Sequence, residues 1–205
     1  MRIGIDFDNT IACYDGVFHA AALERGLIPA ELARDKTSVR DHLNGAGRRD
    51  EFTELQGYIY GTRMELASLY PGVAEFVATA RRRGHDLFVV SHKTAHPILG
   101  PKHDLHASAR AFLAARGLMG DAPTQIPPSR VFFELTADAK AARAAVLGCD
   151  LFVDDLPEIL AMPGFPMGMR RVLFDPDDRF AGPACAGMTF DRRTSWTAIA
   201  ADLNP

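Results

Sequence analysis

Five short runs rich in β-branched and aromatic residues, at 2–6, 86–90, 130–133, 150–153 and 171–174, alternate along this chain with stretches whose apolar residues recur every three to four positions. Runs this short and this apolar suit strands buried on both faces, and their alternation with helical stretches is what a parallel sheet covered by helices on both sides requires. A helix expected over 73–83 gathers Val73, Phe76, Val77 and Ala80 on one face and stops at Gly84. Helices expected over 105–116 and 138–147 stop in the same way at Gly117 and Gly148, residues free to take the left-handed conformation that closes a helix. A last helix over 195–203 aligns Trp196, Ile199 and Leu203.

The first and second strands are separated by far more chain than one crossover helix needs. Residues 14–70 have room for two or three helices, for example over 17–25 and 49–69, joined by a polar, glycine-containing loop near 44–47. The expected organisation is therefore a core of residues 1–13 and 71–205 with a small helical insertion, 14–70, placed after the first strand as a cap. Residues 163–168 and 182–187, rich in glycine and proline, are expected to be irregular loops.

At 205 residues the chain suits one medium domain with an insertion. Its net charge of -3 lacks the basic excess that drives binding to a nucleic-acid polymer, so such a partner is not expected. Cys13, Cys149 and Cys185 are odd in number, far apart and without a paired spacing, which points to neither a disulfide framework nor a cysteine zinc site. No apolar run approaches the roughly 18 residues of a membrane span, and Asp6 and Asp8 interrupt the start of the chain before any signal segment could form. A cytoplasmic protein without a membrane partner is the expectation.

In open parallel sheets ligands bind beyond the carboxyl ends of the strands, and there the chemistry-bearing residues collect. The first strand runs into Asp6-Phe7-Asp8-Asn9-Thr10, the second into Ser91-His92-Lys93-Thr94, and the fourth into Asp154-Asp155. Side chains two apart on an extended segment face the same side, so Asp6 and Asp8 are expected to share a site, where paired carboxylates need a proton or a divalent cation between them. The same residues also make good turns and helix starts, as do Asp154 and Asp155 ahead of Pro157 and Glu158. Lys140 is one of only four lysines, with Lys36, Lys93 and Lys102, in a chain that otherwise uses arginine. Such a lysine suggests a point charge with a task. His92, His96, His103 and His106 lie on a loop with Pro97, Gly100 and Pro101 and lack the spacing of a zinc site. His92 and Lys93, which adjoin Ser91, are better placed to contact a substrate.

These motifs, Asp6-x-Asp8-x-Thr10, a strand ending in Ser91, Lys140 and the doublet Asp154-Asp155, resemble in type and order the four motifs of the haloacid dehalogenase (HAD) superfamily, over about residues 2 to 160. The resemblance implies a Rossmann-like three-layer α/β/α core with a parallel sheet of about five strands and a C1-type helical cap. It implies catalytic roles for Asp6, as the nucleophile that forms a phosphoaspartate, and for Asp8, as the acid and then the base. Thr10, Ser91, His92 and Lys140 would hold the phosphoryl group or the turn around it. Mg²⁺ would be the cofactor, bound by Asp6, Asp8 through its backbone carbonyl, Asp154 and Asp155. Members that break carbon–halogen bonds lack the second aspartate, so Asp8 favours phosphate esters. The compact insertion and the acidic doublet also resemble the deoxyribonucleotidase-like branch. The function implied is a Mg²⁺-dependent phosphomonoesterase acting on a small phosphorylated metabolite, a nucleotide or a sugar phosphate. The rivals are a phosphotransferase such as a phosphomutase, with the same nucleophile, and an inactive binding protein of the same fold. Tyr14, Arg34, Lys36, Arg40, His42 and Arg63 of the insertion are candidates for recognising the leaving group.

Overall fold

A computed structural model describes residues 1–181 and 190–203. The chain forms two compact units, one of residues 1–12, 69–93 and 113–205, the other of residues 13–68 and 94–112. The expected loop at 182–187 and Cys185 lie outside the described residues.

The first unit is built on β1 (Arg2–Ile5), β4 (Asp86–His92), β5 (Val131–Glu134), β6 (Leu151–Asp154), β7 (Arg170–Phe174) and β8 (Asp191–Arg193). They form one sheet in the order β5-β4-β1-β6-β7-β8, with every neighbouring pair parallel. Two further short strands, β2 (Ala12–Cys13) and β3 (Ser68–Leu69), pair as a second sheet. β1 is buried except at Arg2, and a Cβ at Gly4 would run into the Phe152 ring of neighbouring β6, so only glycine lets these strands keep their spacing. The five strands read from the apolar runs are all present. The sixth, β8, is Asp-Arg-Arg and carries no apolar signal, because a strand paired on one side only can be held by charges instead of by burial.

Helices cover both faces of this sheet. α6 (Ala137–Val146) and α7 (Pro157–Leu160) bury Ala141, Ala144, Ile159 and Leu160 with Phe88, Val90, Phe152 and Leu173 from the strands. On the other face Trp196 of α8 (Trp196–Ala201) lies with its ring centroid 5.6 Å from that of Phe174, the neighbour of Leu173, and 4.8 Å from that of Phe76 in α4 (Val73–Arg82). Alternate residues of one strand thus serve opposite layers. Gly84, Gly117 and Gly148 have positive φ, as their expected role in ending α4, α5 (Leu105–Ala115) and α6 requires.

The second unit contains α1 (Val17–Glu24), α2 (Lys36–Gly45), α3 (Arg49–Gly61) and a single 3₁₀ turn, Met64–Leu66. The helix expected over 49–69 stops at Gly61, and the chain turns through the 3₁₀ segment instead. α2 starts at Asp35, whose carboxylate accepts from Ser38 N at 2.9 Å. Tyr14, Phe18, Phe52 and Tyr60 form an aromatic cluster with centroid separations of 5.1 to 6.1 Å. Lys36 lies against this cluster and donates to Tyr60 Oη at 2.8 Å.

Candidate active site

The site belongs to the first unit and follows from its strand order. The chain runs from β1 outward through β4 to β5, then returns to the other side of β1 for β6. That places β1 at the switch point, flanked by two parallel strands whose carboxyl ends lie at the same edge. Asp6 follows β1, Ser91 and Lys93 lie at and just past the end of β4, and Asp154 and Asp155 close β6. Asp6 N still donates to Val153 O at 2.9 Å, so the first motif stays tied to β6. Beyond it the backbone folds back at once. Asn9 takes a left-handed φ of 57°, and Phe7 O accepts from the amides of Ile11 and Ala12.

Three carboxylates converge. Asp6, Asp154 and Asp155 each offer an oxygen, and these oxygens all lie within 4.8 Å of one another. Lys140, on the first turns of α6, donates to Asp6 Oδ1 at 2.5 Å and to Asp154 Oδ2 at 2.6 Å, and its side chain is almost wholly buried. Burial opposes the charge on Lys140, but the two carboxylates outweigh it and hold the ammonium above its usual range. Burial, opposed by Lys140 and aided by the charge of Asp6, pushes Asp154 up to about 7. Burial and then the charges of Asp154 and Asp6 push Asp155 well above the usual carboxylate range. One lysine therefore does not balance three acids. A cluster of oxygen donors carrying this excess of negative charge fits a hard divalent cation such as Mg²⁺.

The remaining motif residues are placed as follows. Thr10 is fully buried, with its hydroxyl 3.5 Å from Asp6 Oδ2 and 3.4 Å from Asp155 Oδ1, and its carbonyl accepts from Trp196 Nε1 at 3.0 Å. Ser91 is buried in β4, while His92 is exposed at its end. Asp154 also accepts from Leu156 N at 3.1 Å, in the turn that leads into α7, as well as joining the acidic cluster. Asp150, which has no motif support, accepts from Arg2 N. Of the loop histidines, His96 Nδ1 lies 2.9 Å from His103 O, and His103 Nε2 lies 3.1 Å from Thr62 Oγ1.

Asp8 behaves differently from Asp6. Its carboxylate takes a cation: Lys93 Nζ lies 3.0 Å from Oδ1 and 2.7 Å from Oδ2. The expected pairing of Asp6 with Asp8 is thus resolved into two carboxylates, each met by its own buried lysine. Neither the Lys93–Asp8 pair nor the Trp196–Thr10 hydrogen bond is visible in local spacing, since they join residues 85 and 186 positions apart. In the sequence Lys93 stands out by the scarcity of lysine and by its place beside Ser91, but its partner does not.

No protein-family model matches the sequence, and no curated protein matches it. Solved structures do match in fold. A candidate phosphatase from Clostridium difficile superposes with a TM-score of 0.64 at 12% identity, over 98% of this chain and 97% of that one. A predicted phosphatase from Clostridium acetobutylicum gives 0.60 at 13%, over 98% and 97%. A haloacid dehalogenase-like protein of unknown function from Agrobacterium tumefaciens gives 0.60 at 15%, over 98% and 96%. The chain has the HAD-type fold.

Proposed function

We propose that this chain is a phosphatase of the HAD type, a Mg²⁺-dependent phosphomonoesterase acting on a small phosphorylated metabolite. The observation that carries the reading is the convergence of Asp6, Asp154 and Asp155 with Lys140 at the strand ends beside the switch point. The phosphatase names of two fold neighbours support it.

Asp6, Asp154 and Asp155, with the carbonyl of Asp8, would hold Mg²⁺, which when bound screens the repulsion between a phosphate dianion and the acidic cluster. Asp6 is the nucleophile: a bond forms from its carboxylate oxygen to phosphorus as the bond from phosphorus to the ester oxygen breaks. Asp8 supplies the proton that the leaving oxygen takes up. Water then attacks the phosphoaspartate, Asp8 receives its proton, and inorganic phosphate leaves as Asp6 is regenerated. Lys140 holds Asp6 in place, because its ammonium touches that carboxylate and that of Asp154. Ser91 and Thr10 are hydroxyl donors toward the phosphoryl oxygens and the turn, and His92 is the exposed neighbour on the substrate side.

A screen of phosphorylated metabolites with Mg²⁺, read as released inorganic phosphate, tests this reading. Release from a nucleotide or sugar phosphate that is lost on chelation is the expected result. No release from any ester in the presence of Mg²⁺, with the protein folded, overturns it.

A further inference from the structure

Two of the four lysines are buried, and each sits on an aspartate of the first motif: Lys140 on Asp6, Lys93 on Asp8. We propose that Lys93 is a positioning residue that fixes the Asp8 carboxylate, and so sets the point from which a proton reaches the leaving oxygen and to which one returns. The inference rests on Asp8 being the acid and base of the proposed phosphatase.

The geometry is that of a clamp. The Lys93 side chain is 4% exposed, its ammonium reaches both oxygens of Asp8, and it lies 5.6 Å from the centre of the Phe7 ring, the residue just before Asp8. One side chain thus holds the carboxylate and the ring on the same turn. The base of the clamp is fixed too, because Lys93 N donates to Glu134 O at 2.7 Å, extending the pairing of β4 with β5 past the end of the strand. Pairing a buried lysine with a carboxylate that keeps some exposure gives little net stability, because the loss of hydration offsets their attraction. Such a pair on a motif aspartate is therefore better explained by what it orients. The clamp is also directional. Asp8 takes its cation from the β4 side and Asp6 takes its cation from α6, so different elements orient the two carboxylates.

The test is a split by leaving group, read in kcat/KM, which reports the steps through formation of the phosphoaspartate and not its hydrolysis. Two esters are compared, 4-nitrophenyl phosphate, whose phenolate leaves without help, and an alkyl phosphate, whose alkoxide needs a proton. Asp8→Asn and Lys93→Met should each lower kcat/KM on the alkyl ester by about 100-fold, the usual scale of acid catalysis, and by less than about tenfold on the nitrophenyl ester. Lys93→Arg should recover part of the loss, and the unfolding midpoint of each variant shows whether the fold is kept. Equal losses on both esters in Lys93→Met, with a raised KM, would assign Lys93 to the phosphoryl group and overturn the positioning role while leaving Asp8 its part. A Lys93→Met variant as active as wild type on the alkyl ester, beside an Asp8→Asn variant that is not, overturns it as well. If Asp8→Asn itself shows no dependence on the leaving group, the assignment of Asp8 fails and the inference fails with it.

Discussion

Asp6 shares its two oxygens among Lys140, Thr10 and the space it has in common with Asp154 and Asp155, so it is held in one orientation. Replacing it by asparagine preserves its shape and its ability to accept from Lys140 but removes the charge that attacks phosphorus. Asp6→Asn should lower phosphate release by about a thousandfold or more while unfolding remains cooperative; parallel activity and thermal unfolding measurements check both halves, and wild-type turnover in this variant would remove Asp6 as the nucleophile. Lys140 is the opposite case. Lys140→Met leaves Asp6 and Asp154 buried together with no counter-charge, and should destabilise the fold by about 3–5 kcal/mol in urea denaturation, the usual cost of orphaning one side of a buried ion pair. These residues were legible in the sequence because their types and order are distinctive: acids at the ends of apolar runs, and a rare lysine opening a helix. The partner of Asp8 was not, since it depends on how far β4 extends alongside the turn after β1.

At the scale of elements, the strands with apolar cores were readable, whereas β8 was not. β8 is held by Arg170–Asp191 and Arg193–Asp202 ion pairs, and by Arg192 on Asp175, just past the end of β7. Asp175 is 2% exposed and accepts from the amides of Arg179 and Phe180 as well as from Arg192 Nε. Burial pushes its carboxyl up, but Arg192 and the two amides outweigh it and hold it below the usual range. A carboxylate lowered in the folded state contributes stability above its unfolded pKa of about 3.9, and that contribution is lost as pH falls through the folded value. Asp175→Asn should therefore be less stable than wild type by about 1–3 kcal/mol above pH ~5, with the difference shrinking below pH ~4, in denaturant titrations across that range. A difference that does not change with pH would deny the linkage. α8 was placed correctly by its apolar face, but not its reach: Trp196 Nε1 donates to Thr10 O, joining the last helix to the motif turn. Trp196→Phe keeps an aromatic ring beside Phe76 and Phe174 and should cost about 1–2 kcal/mol, most of it the lost hydrogen bond.

For the molecule as a whole, the acidic cluster sets folding stability against the charge that chemistry needs. Asp6, Asp154 and Asp155 repel one another in a buried setting, and Lys140 neutralises part of that repulsion. In the unfolded chain Asp6 is separated from the doublet by nearly 150 positions, so a divalent cation meets the three acids together only in the folded state. An ion that binds only the folded form stabilises it by RT ln(1 + [L]/Kd), about 2.7 kcal/mol at a hundredfold excess over Kd. For a chain of this length that corresponds to a rise of roughly 5–10 °C in Tm. Thermal unfolding with millimolar Mg²⁺ should show this rise, and chelation should reverse it. Asp155→Asn separates the two contributions. Removing one buried like charge should raise the Tm of the metal-free protein, while removing one oxygen ligand of full charge should shrink the response to Mg²⁺. The variant would then be the more stable protein without the ion and the less responsive one with it. A wild-type Tm indifferent to Mg²⁺, or an Asp155→Asn variant with an undiminished response, would show that the three carboxylates do not act together on a cation.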